Sequence, residues 1–427
     1  MNCHLSIKRL FERIEMILRG MAIRLKLIVN HRTPYTMISC YFLLPKQSDA
    51  MKLHRHVMLK SWQKQPIVFW IPIYFCTWIL WLSCFGWLML IRIYLKQAKK
   101  LKQIENISLT KQLQNLFSLT FLFGVPPHFY YQFNLFRFPE KEWFNYIFTH
   151  ELPAWHLAFN LNNNQKSQQI ISDKYRFAQQ MADAGIPTVP TMLHIPSGST
   201  PKPEDLFRKE SIFLKPSIGS QSKGCFELHY DSSTDSYTIP QSQNETNPKD
   251  LYNDILNRIK ASDTLLQPLL INHETVEELC LTEELTTLRI ITAYDRSTIH
   301  CISAVAEMPL ENEKFWYVMK IDEVTGRLMK GNSYRMSDKI EKYDEQFAHL
   351  PGTVWPFWNE CLDICFKAHE QVSDLLTVGW DVAVTPDGPI LIEGNTNWGV
   401  ITAQCLNNTP LLCTKLKDIY TKKIKMH

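Results

Sequence analysis

From Ile67 to Ile91 the chain runs 25 residues without a charge, with Thr77 and Ser83 as its only clearly polar side chains. A helix rising roughly 1.5 Å per residue would carry such a run about 37 Å, far enough to cross a bilayer with some tilt. Trp62 and Trp70 stand near one end and Trp87 and Tyr94 near the other, where interfacial anchors belong. Buried helices of soluble domains rarely stay uncharged for so long, so the pattern predicts one transmembrane helix within 66–95. The run starts late, is too long for a signal-peptide core and has no small-x-small exit before Arg92, which argues against a cleavable leader.

Charge supports a membrane nearby. Residues 1–65 carry 12 Lys or Arg against three Asp or Glu, a net +9, and the overall +4 leaves −5 for the remainder. A basic segment ahead of a mildly acidic body argues against a nucleic-acid-binding body and suits an anionic lipid surface. Leu10, Ile14, Ile17, Leu18, Met21 and Leu25 recur at helical spacing among the cations, as in a helix lying along such a surface. The positive-inside count does not orient the span. Lys46, Lys52, Arg55, Lys60 and Lys64 precede it, and Arg92, Lys96, Lys99, Lys100, Lys102 and Lys111 follow it. Eleven cysteines without framework spacing suit a reducing compartment, which places the body in the cytoplasm. Cys361 and Cys365, four apart, read as one turn of a helix face, not a metal site.

Residues 96–170 read as a helical, aromatic connecting segment, interrupted at Pro126-Pro127. From about 171 the pattern changes to alternating helices and strands, an α+β grammar that continues to 427, with lobes about 171–265 and 266–427. Asp173 to Ala184 is a helix closed by Gly185. Ile212 to Lys215, Cys225 to Tyr230, Leu265 to Gln267, Thr287 to Tyr294 and Ile299 to Ala306 read as strands. Asp231 to Pro248 reads as a polar surface loop. Trp380 to Val384 and Pro389 to Ile392 form a hairpin around Pro386-Asp387-Gly388.

That hairpin is the most informative segment. Glu393 and Asn395, two apart, share one face of an extended strand. A three-residue loop with a glycine bulge would bring Asp381 opposite Glu393 on the same face. Two carboxylates and an amide oxygen would then converge as a hard-oxygen set suited to Mg²⁺. A second segment has a strand ending in Lys215, followed by a loop with Gly219, Ser220, Ser222 and Gly224. Glycines let backbone N–H groups approach phosphate, and the lysine adds fixed charge, although the P-loop order is absent. Arg289 inside an apolar strand requires an anionic partner.

Asp173-Lys174, Phe213-Leu214-Lys215-Pro216, the small-residue loop, Gln267, Thr287-Leu288-Arg289, Gly379-Trp380-Asp381 and Glu393-Gly394-Asn395, in that order, resemble an ATP-grasp domain. The strings VGWDVAVTPDGPILIEGN and DK…AGIPTVP are similar to the sugar-transfer-associated branch of that superfamily. The resemblance implies two α+β lobes clasping ATP. Lys174 and Lys215 would contact phosphates, Gly219 to Gly224 would close over them, and Gln267 would mark the adenine hinge. Arg289 would stabilise the transferred phosphoryl group, with Lys215 sharing that catalytic role, while Asp381, Glu393 and Asn395 would hold Mg²⁺. Phe315 to Asp322 stands where members of the family carry a glycine-rich acceptor segment.

The expectation is a single-pass membrane protein with a cytoplasmic ligase domain that joins a carboxylate to an amine. Its substrate would be a small molecule or glycoconjugate, and its partners polysaccharide-synthesis enzymes. A hydroxyl kinase and a non-catalytic nucleotide-binding scaffold stay open as alternatives.

Overall fold

The computed structural model describes residues 36–63, 67–160, 165–219, 224–239, 248–260, 262–310, 316–329, 332–333 and 345–425. The basic helix expected over Leu5 to Val29 lies outside them, as do Ser220 and Ser222. The chain divides into two compact units. One comprises residues up to Phe159 together with those from Gly399 onward, and the other comprises Asn160–Trp398.

In the first unit, α1 (Asp49–Gln63) precedes one long helical run made of α2 (Ile67–Leu80), a π turn (Trp81–Phe85) and α3 (Gly86–Glu105). Within it, Phe75–Glu105 is long and apolar enough to cross a membrane. The helical run continues past the charge-free residues and ends where Asn106 turns left-handed at φ 55°. One side of the run is packed. Trp81 Nε1 donates to the Thr120 carbonyl at 3.0 Å, Leu90 is buried, and a Cβ on Gly86 would come within 2.9 Å of the Phe121 ring. Phe75, Ile79, Leu82, Leu88, Ile91 and Leu95 are exposed on the rest.

The helix α4 (Leu109–Phe117) is capped by Ser108, whose Oγ accepts from Lys111 N. The aromatic stretch that follows is a packed core, as its composition suggests, but it is built from short turns in place of long helices. Pro126, Pro127 and Pro139 keep interrupting it. Phe133 stacks on Tyr146 at 5.1 Å, and Phe123 meets Phe144 at 4.7 Å. Beneath them, buried His54 faces Glu151 Oε1 at 2.9 Å, with its other ring nitrogen 3.0 Å from the Phe144 carbonyl. After α5 (Leu152–Phe159), residues from the chain's end complete the unit. Buried Gln404 bonds the Ile147 backbone in both directions, at 2.9 and 2.7 Å, and Tyr420 of the C-terminal helix Lys415–Lys425 stacks on Phe159 at 4.0 Å.

The second unit is α+β, with two antiparallel sheets. The five-stranded sheet has the order β1 (Leu193–Ile195), β5 (Thr264–Pro268), β2 (Ile212–Pro216), β3 (Phe226–Asp231), β4 (Ser236–Thr238). The six-stranded sheet runs β11 (Gly388–Asn395), β10 (Thr377–Thr385), β6 (Thr287–Tyr294), β7 (Ile299–Pro309), β8 (Trp316–Ile321), β9 (Asn332–Ser333). Its helices include α6 (Lys174–Asp183), α7 (Pro248–Ile259), α8 (Glu274–Cys280) and α9 (Trp358–Glu370). Alternation decides the faces. Val378, Trp380, Val382 and Val384 point into a core with Phe177 and Met181 of α6 and Cys361, Ile364, Cys365 and Ala368 of α9. Burying each such large apolar side chain contributes ~1.5–3 kcal/mol. Cys361 and Cys365 are thus a packed helix face, and among the described residues no group of three His, Cys, Asp or Glu side chains gathers to hold a metal.

Two local expectations need correction. The polar segment after Asp231 contains a short strand, β4, because Tyr237 pairs with Tyr230 and packs on Phe207. The hairpin does not carry its extra residue at the turn. Thr385 pairs with Gly388 (φ 104°), so only Pro386 and Asp387 lie between them, and the ladder slips further along, where Ile392 is the unpaired residue beside Asp381. Proline's fixed negative φ excludes the primed two-residue turns, whose twist matches the strands, and the ladder absorbs its irregularity at the bulge.

Candidate functional site

The bulge at Ile392 sets Asp381 and Glu393 directly across from one another, and on its other side Asp381 pairs with Arg289. Directly opposed residues point to the same face, so Glu393, Asp381 and Arg289 form one row across β11, β10 and β6. Arg289 Nη1 lies 2.8 Å from Asp381 Oδ1. Asn395 Nδ2 is 3.2 Å from Glu393 Oε1 and 3.5 Å from Asp381 Oδ2. The expected trio of Asp381, Glu393 and Asn395 is therefore brought together, on the face opposite α9. The glycine between Glu393 and Asn395 has a packing reason. A Cβ on Gly394 would lie 2.8 Å from both the Trp380 ring and Ile171 Cδ1.

The lysines arrive from the other side. Lys174 is the first residue of α6, whose cap Asp173 accepts from Tyr175 N and Arg176 N and receives a 2.7 Å hydrogen bond from Ser217 Oγ. Lys174 N in turn donates to the Ser217 carbonyl at 2.9 Å. A cation at a helix N-terminus opposes the dipole. It is held there by Glu393, with Nζ 3.4 Å from Oε2, and by the Gly219 carbonyl at 2.8 Å. Such a locally unfavourable placement is expected at a functional site. Lys215, on β2, is only 4% exposed. Burial lowers its pKa to about 8, against the pull of Glu393, while Lys174 adds repulsion.

The carboxylates respond unequally. Burial, with Glu393 and Glu307 close by, pushes Asp381 well above the usual carboxylate range despite Arg289. Burial acts on Glu393 too, but Lys174, the Asn395 amide and Lys215 hold it below that range. Arg289 loses hydration on burial, yet Asp381, Glu307 and Glu393 raise its pKa above the ordinary value. The donor set of two carboxylates and an amide that can turn its oxygen inward fits a hard divalent cation completed by ligand oxygens.

Glu307 is the residue that sequence reasoning missed. It lies on β7 two residues from Val305, the direct partner of Arg289, and so shares the row's face. Burial raises its pKa, and Arg289 lowers it. The signal was available, since an acid inside the apolar string Ile302 to Met308 is as anomalous as Arg289 is in β6. Gln267 is also buried, but its amide donates to the Val189 carbonyl at 3.2 Å, which secures the segment running beside Leu391. Gly219 and Gly224 flank the loop at φ 153° and 81°.

The sugar-transfer associated ATP-grasp model matches residues 157–420. No curated protein matches the chain. Solved structures similar to it include D-alanyl-alanine synthetase A from Vibrio cholerae O1 biovar eltor, 11% identical with TM-score 0.37 over 61% of this chain and 66% of that one. The ATP-grasp ligase PsnB complexed with a minimal precursor is 16% identical, with TM-score 0.35 over 68% of this chain and 72% of that one. D-Alanine-D-alanine ligase from Helicobacter pylori is 13% identical, with TM-score 0.34 over 59% of this chain and 58% of that one. The chain therefore spans just under two thirds of the Vibrio protein and less of the Helicobacter one. With its two antiparallel sheets and a family match over more than half its length, the chain belongs to the sugar-transfer associated ATP-grasp family and has the ATP-grasp fold.

Proposed function

We propose that the protein is an Mg-ATP-dependent ligase that activates a carboxylate for attack by an amine. The observation that carries this reading is the row Glu393–Asp381–Arg289 faced by Lys174 and Lys215. Lys174 and Lys215 hold the phosphates, Gly219 and Gly224 flank a loop that would close over them, and Gln267 borders the base. Asp381, Glu393 and Asn395 would hold Mg²⁺, which supplies charge neutralisation on phosphate oxygens. Arg289 compensates the charge that spreads over the phosphoryl group as it moves. The γ-phosphoryl group passes to the substrate carboxylate, giving an acylphosphate and ADP. The amine then attacks the carbonyl, and phosphate leaves as the amide forms.

The family's association with sugar transfer supports a substrate in surface polysaccharide or glycoconjugate synthesis. Phe75–Glu105 would anchor the enzyme by a single span, with the ATP-binding unit on the cytoplasmic side, where ATP and reduced thiols occur. Purified protein incubated with Mg-ATP, candidate carboxylates and hydroxylamine tests the reaction. ADP release with hydroxamate formation is expected. ADP with a phosphorylated hydroxyl product and no hydroxamate would make it a kinase, and no ADP under any condition would leave only a scaffold.

A further inference from the structure

Three carboxylates, those of Asp381, Glu307 and Glu393, act on Arg289, and two of them hold a cation. Asp381 is paired with Arg289 itself at 2.8 Å, and Glu393 with Lys174 at 3.4 Å. Glu307 has neither. Among the described residues no hydrogen bond or ion pair engages its carboxylate, although Arg289 lowers its pKa through space. The next cation on the same face does not serve it either. Lys320 of β8, directly opposite Val305, is engaged by Glu323 Oε1 at 3.3 Å. Ala306 and Met308 on either side of Glu307 are fully buried, whereas Glu307 keeps part of its surface open.

Register decides where this carboxylate stands. Asn395 pairs with Gly379, and Gly379 with Ile291, two residues past Arg289. Glu307 pairs with Thr287, two residues before Arg289. Asn395 and Glu307 therefore flank the row on opposite sides, with Glu307 diagonal to Arg289 at the ~7–8 Å usual for such neighbours. A phosphoryl group beside Arg289 has the expected metal trio on one flank and an unpaired carboxylate on the other. Whatever enters on that second flank meets a negative charge. A second carboxylate would be repelled there, and a hydroxyl or thiol would bring no compensating charge. An ammonium group would gain an ion pair and charge-assisted hydrogen bonds together.

We propose that Glu307 binds the acceptor amine, which arrives as its ammonium ion. The proposal rests on the ligase reading and adds to it the chemical class of the acceptor and the residue that selects it. An ammonium cannot attack a carbonyl until one N–H bond is broken. Glu307 takes that proton, forming an O–H bond, and burial, which raises its pKa, suits it to the role. The freed amine forms the C–N bond as the C–O bond to phosphate breaks, and the departing phosphate carries off the second proton.

The test titrates the full chain in lipid nanodiscs, with Mg-ADP present, with ethanolamine and glucosamine and with their uncharged counterparts ethylene glycol and glucose. Saturation-transfer NMR reads the binding. At least one amine should bind saturably and more tightly than its counterpart. Glu307→Gln should weaken that binding at least ~tenfold, as loss of a charge-assisted hydrogen bond would, and Glu307→Asp should keep part of it. Turnover separates a direct role from one exerted through Arg289. With Mg-ATP and a carboxylate that yields hydroxamate, Glu307→Gln should lower amide formation at least ~tenfold more than hydroxamate formation with uncharged hydroxylamine. Absence of saturable amine binding, or equal binding in the wild type and Glu307→Gln, would overturn the proposal. So would an equal loss of amide and hydroxamate. Absence of hydroxamate from every carboxylate in the wild type would instead sink the ligase reading, while the binding measurement would still decide the role of Glu307.

Discussion

Arg289 and Asp381 are paired residue against residue across β6 and β10, with Nη1 2.8 Å from Oδ1. Backbone register, not side-chain flexibility, therefore holds the cation beside a carboxylate of the expected metal set. Asp381→Asn and Glu393→Gln should each lower Mg-dependent ATP turnover by more than ~100-fold. Both variants should stay folded, with Asp381→Asn losing only ~1–3 kcal/mol because Arg289 keeps Glu307 and Glu393 nearby. Circular dichroism melts and coupled ADP assays check both halves. Turnover at the unaltered rate in both variants would remove the metal assignment.

Lys215→Met and Arg289→Met should separate binding from chemistry. The lysine faces ground-state phosphates, so its loss should mainly raise KM for Mg-ATP. The arginine matters as charge redistributes, so its loss should mainly lower kcat. Steady-state kinetics with ATP as the varied substrate measures the split, and equal effects on KM alone would contradict it.

A pH dependence follows from the Lys215 amine at about 8. Its folded value lies below the unfolded ~10.4, so burying the charged amine costs stability below pH 8, and that cost fades between pH 8 and about 10.4. Phosphate favours the charged form, so above pH 8 binding must take up a proton and Mg-ATP affinity should fall by up to ~tenfold per pH unit. Calorimetry in buffers of different ionisation enthalpy would detect the proton. Lys215→Arg, charged throughout, should flatten the profile.

The helix at Asp173, the strands around Lys215 and Arg289, and the closing hairpin were legible because short-range pattern and turn chemistry agree there. The register that pairs Asp381 with Glu393 was also legible, but its cause was not. A bulge at Ile392 depends on how β10 is held by β6 along its other edge, which no local string encodes. Glu307 was missed because its significance rests on Arg289 reaching the neighbouring strand. Gln267 is marked as the adenine hinge by the resemblance alone, and its bond to Val189 is visible only in three dimensions.

Gly394→Ala should be costly although its backbone is not left-handed, because the new methyl would meet Trp380 and Ile171 at 2.8 Å. Overpacking there should cost ~1–3 kcal/mol and misplace Glu393 and Asn395 together. A lowered thermal midpoint with a matching loss of nucleotide affinity is expected. Full affinity in a stable variant would show that Trp380 yields more easily than its burial implies.

For the membrane, a non-permeant thiol probe on intact cells should label a cysteine placed near Gln47 but not one near Ser232. High-pH carbonate should leave the protein with the membranes. Labelling at both positions, or release by carbonate, would count against a single span with the catalytic unit inside.

The stack of Tyr420 on Phe159 and the two bonds of Gln404 to Ile147 join parts of the chain separated by the whole of Asn160–Trp398. At synthesis rates of about 5–20 residues per second, Phe159 leaves the ribosome roughly 13–50 s before Tyr420 does. During that interval the apolar helix and its aromatic neighbours exist without the residues that finish their packing. The amino-terminal unit is thus begun before Asn160–Trp398 is made and completed after it, and a stop codon between Asn395 and Gln404 would spare every residue of the charged row while leaving that unit open.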